Sequence, residues 1–478
     1  MRRKTVWLVV PLVLGSVPLV AQTPSTNSSA AAPPTQAQTP TSQSASPPTS
    51  QAPPATSTPP QLPASGTPLH LTVQDAEALA LKNNPQISVY RLLSLASNQV
   101  TREQKAAYYP NVYGSLTAVE PREGGSRIAA GNLNNPSVYE RAAGGLTLAQ
   151  LITDFGRTNN LVASATLRAK AADMNAVATA DQIKLAADQA FYNALQAFAE
   201  QRVAEQTVKA RQLVSDQITT LFQNKLRSQL DVSFADANLA QAKLLLLDAQ
   251  NNYQASLSLL SSVLGYTAQQ PFELVDTEGE MKPPPDAVSQ LVDEAFNNRP
   301  EIASQGYEYQ AAQHFQKAER DLLLPSVSAL GVVGRTPYSA RVGGVSPFPD
   351  WYGAIGVNIN VPIFNGFLYP ARSREAGFRA KADAEQLRDL KDRIANDVRT
   401  SWLNAITAYN RIAVSQQFVD QTNLAVNLSE TRYNLGLSSI VELSQAQLQQ
   451  TEAQIRYAAA KYEYRIAQSV LRFQIAAP

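Results

Sequence analysis

The stretch WYGAIGVNINVPI, residues 351–363, decides the fold of this chain. Its odd positions are Trp, Gly, Ile, Val, Ile, Val and Ile, whereas its even positions up to 360 are Tyr, Ala, Gly, Asn and Asn. Because side chains alternate between the two faces of a β-strand, this pattern predicts a strand with one apolar and one small or polar face. A length of about 10 residues suits a tilted strand in a membrane.

Three further segments carry strand signals. Residues 327–333 show a weaker alternation that is compatible with pairing to 351–363, and residues 112–119 and 142–151 form a second candidate pair. Loops rich in Gly, Pro and Asn separate the partners at 121–136 and 336–349. The sequence therefore predicts four strands in two hairpins, either in a membrane or in a soluble sheet packed on a core.

Four membrane strands have a consequence for assembly. Backbone N–H and C=O groups cannot remain unpaired in hydrocarbon, so a membrane sheet must close into a barrel. Single-chain barrels have about eight strands or more, so several copies of this chain must share one barrel. Two copies give about eight strands around a filled interior, and three give about twelve around an open lumen.

The ordered part of the chain is an internal duplication. Four landmarks recur after about 210 to 215 residues, which indicates two copies of one structural unit. The matched pairs are 82–87 with 297–302, 108–112 with 323–327, 154–156 with 364–366, and 225–228 with 436–439.

Each repeat begins with two helices. Thr72 is the predicted N-cap of the first repeat, with Asp75 as its capping-box partner, and Asp286 is the predicted cap of the second repeat. An Asn-Asn-Pro or Asn-Arg-Pro sequence then ends the first helix. A second helix of about 20 residues runs to Pro110 or Pro325, where the strand signals begin.

A long helical hairpin follows each pair of strands. Residues 157–224 contain no proline or glycine, and residues 371–435 contain only Gly377. About 65 helical residues make a rod of roughly 100 Å. Returning helices are predicted at about 229–264 and 440–473. A coiled-coil seam is expected at Ile183, Ala187, Ala190, Ala194, Val214, Ile218 and Leu221.

The remaining features concern export and chemistry. A basic start followed by an apolar run predicts a signal peptide at 1–21, and a Pro/Ser/Thr-rich segment predicts a disordered tether at 22–68. The two repeats are assigned to 69–282 and 283–475, with strands at about 111–151 and 326–364 and helical hairpins at about 156–264 and 366–474. The chain has no cysteine, a formal net charge of +1 and two separated histidines. We therefore expect no enzyme activity, cofactor, metal site or nucleic-acid partner.

Four phrases resemble the TolC family of outer-membrane efflux proteins. They are LTVQDAEALALKNNP at 71–85, QLITDFGR at 150–157, VPIFNGF at 361–367 and, most specifically, YNLGLSSIVELSQAQ at 433–447. The resemblance implies a homotrimer with a twelve-stranded β-barrel in the outer membrane of a Gram-negative bacterium, continued by an α-helical coiled-coil tunnel in the periplasm. It also implies a passive, gated duct for efflux or type I secretion, docked to a periplasmic adaptor and an inner-membrane transporter.

The resemblance also implies roles for the two turns between the long helices. The adaptor-docking tips are Lys225, Leu226, Arg227 and Ser228 in the first repeat, and Leu435, Gly436, Leu437, Ser438 and Ser439 in the second. Lys225 stands where the family commonly has glycine, so a different bend is allowed there.

A periplasmic gate beside these tips follows from the same resemblance. Tyr433 and Asp231 match a tyrosine and an aspartate that link the inner and outer coiled coils. Glu442 matches the first acidic ring of the entrance, whereas Gln445 replaces the second acid and Ser438 replaces an arginine of the latch. These two replacements weaken the expectation of a tightly latched, cation-binding gate.

Two matters stay open at the sequence level. Trp351, Tyr113, Tyr338 and Tyr352 are candidates for the membrane–water boundaries. The alternative function is a periplasmic coiled-coil adaptor without a pore, although such adaptors usually carry one helical hairpin and this chain carries two.

Overall fold

The computed structural model describes residues 69–120, 140–276, 279, 281–339 and 349–476. The predicted signal peptide at 1–21 and tether at 22–68 lie outside these ranges, as do the predicted loop at 121–136 and residues 340–348. The assignment of the repeats to 69–282 and 283–475 stays a prediction.

Short elements open each half of the chain. Strand β1 (Leu69–Leu71) pairs in parallel with β4 (Phe272–Leu274). Helix α1 (Val73–Asn83) begins after Thr72, whose side chain accepts a hydrogen bond from the Asp75 amide while the Asp75 carboxylate accepts one from the Thr72 amide. The predicted capping box is confirmed.

The corresponding prediction for the second half is wrong. Helix α5 (Val288–Asn298) has Ala287 as its N-cap residue and no side-chain cap. Asp286 lies one position before the cap, because the chain runs for two further residues after the prolines at 283–285 before it becomes helical. Its carboxylate is therefore not the N-cap acceptor of this helix.

Proline sets the start of the next helix in both halves. Helix α2 (Pro85–Lys105) and helix α6 (Pro300–Asp321) each have proline at the first helical position, directly after the break in the chain. Proline at this position has no amide hydrogen to lose from the helix and its φ is already helical. Their lengths, 21 and 22 residues, match the expected 20 closely.

The four predicted strands form one antiparallel sheet. The strands are β2 (Asn111–Val119), β3 (Arg141–Thr153), β5 (Ser326–Ser339) and β6 (Trp351–Asn360), in the order β2-β3-β5-β6. Strand β5 continues through the start of the predicted loop at 336, because the Thr336 amide still bonds the Asp350 carbonyl at 2.8 Å. Strand β6 ends before 361–364, where Pro362 has no amide hydrogen to offer a ladder.

The register collects apolar side chains on one face of this sheet. Val112 lies opposite Leu148, Leu146 opposite Val333, and Gly331 opposite Ile355. Leu116 and Ile355 are 92% and 91% exposed. A soluble sheet would bury such a face against a core, and within the described residues these side chains remain uncovered. In the part of the chain that the structure describes, this apolar face is therefore available for contact with another molecule.

Four long helices make up most of the described chain. Helices α3 (Arg157–Gln223) and α7 (Leu368–Asn434) have 67 residues each, about 100 Å. Helices α4 (Gln229–Val263) and α8 (Ile440–Gln474) return along them, and α3 also packs against α8. Along the predicted seam Ile183, Ala187, Ala190, Ala194 and Ile218 are buried, while Val214 and Leu221 are partly buried. Among the described helices, none has both the length and the apolar content needed to cross a bilayer.

The boundaries of the long helices are spaced equally in the two halves of the chain. Helices α3 and α7 begin at 157 and 368 and end at 223 and 434, and α4 and α8 begin at 229 and 440. Left-handed residues precede the long helix in both halves, at Phe155 and Gly156 and at Gly366 and Phe367. The structure thus pairs 155–156 with 366–367, one residue away from the match of 154–156 with 364–366 that the sequence suggested.

Candidate docking tips and gate

The two tips have the same backbone. Lys225 has φ +62° and Gly436 has φ +74°, both in the left-handed region. The next amide bonds back five residues in each case, from Leu226 to the Leu221 carbonyl at 2.9 Å and from Leu437 to the Arg432 carbonyl at 2.8 Å. These bonds satisfy carbonyls at the end of the long helix. Lys225 therefore adopts the bend that glycine adopts in the second tip, although a side chain in this conformation is strained.

Serine caps start both returning helices. Ser228 accepts a hydrogen bond from the Asp231 amide at 3.2 Å, and Asp231 accepts one from the Ser228 amide at 3.0 Å. Ser439 accepts from the Glu442 amide at 3.4 Å. Asp231 and Glu442 thus occupy the same position in the first turn, where a negative charge is stabilised by the helix dipole.

Leucines dominate the outer surface of the tips. Leu226, Leu435 and Leu437 are each about two-thirds exposed. Exposed leucines that are grouped on tight turns are typical of a surface that a partner covers.

A small apolar cluster lies directly beneath the tips and joins the two helical hairpins. Its members come from all four long helices, so the tips of one chain are held side by side. The cluster consists of Ile218, Val232, Ala235, Tyr433, Ile440 and Leu443, with Val214 packed against it.

Tyr433 is held differently from what the resemblance implied. It is only 4% exposed, and among the described residues its hydroxyl has no hydrogen-bond partner. Asp231 is engaged with Ser228. Instead, the guanidinium carbon of Arg227 lies 4.1 Å from the centre of the Tyr433 ring, and Arg227 Nη2 donates to the Tyr433 carbonyl at 2.8 Å. Arg227 therefore links the first hairpin to Tyr433 of the second, and among the described residues no hydrogen bond joins Tyr433 to Asp231.

The charges around Tyr433 act in opposite directions. Burial raises the pKa of Tyr433, nearby Asp231 raises it further, and Arg227 lowers it. The phenol keeps its proton at neutral pH, so the cation above the ring interacts with a neutral aromatic face. Ser438 holds the position in the second tip that corresponds to Arg227, and within the described residues its buried hydroxyl has no hydrogen-bond partner.

Glu442 is paired with a residue that sequence reasoning missed. Arg432 Nε lies 3.5 Å from Glu442 Oε1, and both side chains are about half exposed. Arg432 belongs to the last turn of α7, where a basic residue is favoured by the helix dipole. Its place in the last turn of a predicted helix could have suggested Arg432 from the sequence. Gln445, one turn further along α8, lines a cavity of about 410 Å³ and contributes no charge to an entrance ring.

Two tandem sets of helices, each with a strand hairpin and a long helical hairpin, share one sheet with an uncovered apolar face. This combination defines a class of export-duct protomer. The family description "Outer membrane efflux protein" matches residues 78–266 and 291–476. The chain belongs to this outer membrane efflux protein family and is an outer-membrane protein.

The chain is similar to proteins whose names refer to secretion or to the outer membrane. It is 22% identical to the alkaline protease secretion protein AprF of Pseudomonas aeruginosa over 84% of both chains. It is 23% identical to the outer membrane protein TolC of Salmonella enteritidis over 54% of both, about half the length of that relative. Among solved structures, the outer-membrane channel OprN has a TM-score of 0.73 at 17% identity, covering 85% of this chain and 90% of its own.

Proposed function

We propose that three copies of this chain form a twelve-stranded barrel that serves as a passive, gated export duct. The observation that carries the proposal is the four-stranded sheet with an uncovered apolar face. Among the described residues, strands β2 and β6 are the unpaired edges of this sheet, and unpaired edges are not tolerated in hydrocarbon. Three copies supply about twelve strands, enough for an open lumen.

The long helices extend the same lumen. Each chain contributes two helical hairpins of about 100 Å, so three chains supply six around one axis. The coiled-coil seam buries alanine and isoleucine between these helices and leaves polar faces for water on either side. The proposed duct therefore runs from the outer membrane through the periplasm.

The tips are the proposed docking surface for a periplasmic adaptor, which in turn connects to an inner-membrane transporter. Exposed Leu226, Leu435 and Leu437 provide the apolar contacts, and the shared cluster beneath them keeps the two tips in fixed register. Membership in a family of efflux and secretion proteins supports this arrangement. The described residues hold no cluster suited to a metal ion.

The proposed gate is the contact between Arg227 and Tyr433. This contact joins the first hairpin to the second, and Glu442 with Arg432 lies beside it. Opening requires the two hairpins to separate, which breaks the cation–π contact and its hydrogen bond. Energy for export comes from the partner transporter, because the duct only conducts.

Planar bilayers test the function directly. We expect the purified protein to give discrete conductance steps. Replacing Arg227 by alanine should increase the conductance or the open time, because the contact between the hairpins is lost. Absence of any discrete conductance, from the wild type and from a variant with both Tyr433 and Asp231 replaced, would reject a gated pore and favour the adaptor alternative.

A further inference from the structure

A cavity of about 410 Å³ lies between α3, α4 and α8, next to the apolar cluster beneath the tips. Thr207 and Arg211 on α3 form its floor, and side chains of α4 and α8 form its two walls. This volume falls within the range of about 300 to 1,000 Å³ that is typical of small-molecule sites.

Arg211 gives this cavity an unusual charge. Its side chain is more than nine-tenths buried, with 9% of its surface exposed. Within the described residues it forms no ion pair and no side-chain hydrogen bond. Burial alone lowers the pKa of Arg211 to about 10, so the guanidinium is still charged at neutral pH. A largely buried cation without a protein partner is incompletely hydrated, so a bound anion would stabilise it.

No lining residue supplies that anion. Glu452 is the one acidic residue among the described lining residues; it is about half exposed and pairs with Arg456 at 2.7 Å. The Asn238 amide donates to Ser444 across the two walls at 2.7 Å, and is thereby occupied. The charge of Arg211 is therefore free to interact with a ligand.

The walls set the remaining chemistry of the ligand. Phe234 and Leu245 of α4 face Val441 and Leu448 of α8, so most of the wall surface is apolar. The amides of Gln241 and Gln445 add neutral hydrogen-bonding groups. A complementary ligand carries one negative charge at one end of a compact apolar body.

We propose that this cavity binds a small carboxylate-bearing amphiphile, with the carboxylate on Arg211 and the apolar body against Phe234, Leu245 and Leu448. The planar guanidinium can meet both carboxylate oxygens at once, which gives the site its preference for carboxylates. This binding site is additional to the export function and does not depend on it.

Calorimetric titration of the full-length assembled protein with 4-phenylbutyrate tests the proposal. We expect saturable binding in the millimolar range or tighter, and binding at least about 10-fold weaker for the uncharged 4-phenylbutanamide. Arg211→Gln should weaken 4-phenylbutyrate binding to a similar degree. Arg388→Gln, which changes an exposed arginine on α7, is the matched control and should bind as the wild type does.

A second variant covers the case in which Arg211→Gln fails to assemble. Leu448→Trp keeps the charge but fills part of the cavity, and it should also abolish binding. The proposal is overturned if the wild type takes up no 4-phenylbutyrate, as it would if an acidic side chain of a second copy already filled the cavity. It is equally overturned if the amide probe binds as tightly, or if Arg211→Gln or Leu448→Trp binds normally.

Discussion

Arg227 is the residue on which the gate depends most. It contacts both the ring and the carbonyl of Tyr433, and so links the first hairpin to the second. Replacing it by alanine removes a cation–π contact and a charge-assisted hydrogen bond, about 1–2 kcal/mol together. We expect Arg227→Ala to conduct more in planar bilayers, whereas Arg379→Ala, on the exposed surface of α7, should conduct as the wild type does.

Tyr433 provides the contrasting prediction. Its hydroxyl has no partner among the described residues, so Tyr433→Phe should leave conductance and thermal stability unchanged. Tyr433→Ala should open the pore, because it removes the ring that Arg227 covers and leaves a cavity in the apolar cluster. Should Tyr433→Phe open the pore as strongly as Arg227→Ala, the hydroxyl would carry the link and this account of the gate would be wrong.

Lys225 stores strain at the first tip. Because its φ of +62° suits glycine, Lys225→Gly should stabilise the turn by about 1 kcal/mol. Gly436→Ala should destabilise the second turn by a similar amount, although no atom lies within 4 Å of the added Cβ. Hydrogen exchange of the tip amides should slow in the first variant and accelerate in the second; changes of the opposite sign would contradict the observed bends.

Helices α1, α3 and α8 meet around one buried acid. Asp188 on α3 is 7% exposed, and its Oδ1 has no hydrogen-bond partner within the described residues. The pKa of Asp188 is raised to about 7, mainly by burial and also by the adjacent Glu77, while a hydrogen bond with Ser469 lowers it. Arg472 opposes this shift only weakly. The contact between these helices is therefore sensitive to pH.

The raised pKa of Asp188 makes the folded protein more stable at low pH. The folded chain binds a proton at Asp188 that the unfolded chain releases near pH 4, so the stabilisation is complete below about pH 4 and is lost as pH rises through about 7. The full loss is on the order of 4 kcal/mol. The unfolding temperature of the wild type should be higher at pH 5 than at pH 8, and this difference should shrink in Asp188→Asn. If this difference in unfolding temperature is unchanged in Asp188→Asn, or if exposed Asp389→Asn reduces it equally, Asp188 is not the source of the pH dependence.

Elements were more predictable from the sequence than contacts. Alternation at 351–360 and the absence of proline from 157–223 located a strand and a long helix, because these signals act within each segment. The predicted cap at Asp286 was wrong because the helix begins one residue later than expected, and the strand predicted to reach about 364 ends at 360, before Pro362. Arg227 and Tyr433 lie 206 residues apart in the sequence, so no local sequence pattern predicts their contact.

In the assembled protein, the two faces of the sheet should tolerate charge differently. Ile355 lies on the apolar face and is 91% exposed, while Asn358 lies on the opposite face of the same strand. Ile355→Lys should cost about 2–4 kcal/mol at mid-membrane depth and reduce the amount of assembled protein in outer-membrane fractions. Asn358→Lys should assemble normally and change ion selectivity. Equal tolerance of both substitutions would argue against a lipid-facing surface.

Cysteine crosslinking can show whether other copies of the chain complete the sheet. The chain has no cysteine, so a pair introduced on the two free edges, Ser115→Cys on β2 with Ala354, Gly356 or Asn358→Cys on β6, reports only the new contact. We predict that one of these registers, oxidised in membranes, gives a covalent ladder that ends at the trimer. A chain that stays monomeric in every register, while the single-cysteine controls are equally unlinked, would contradict the shared barrel.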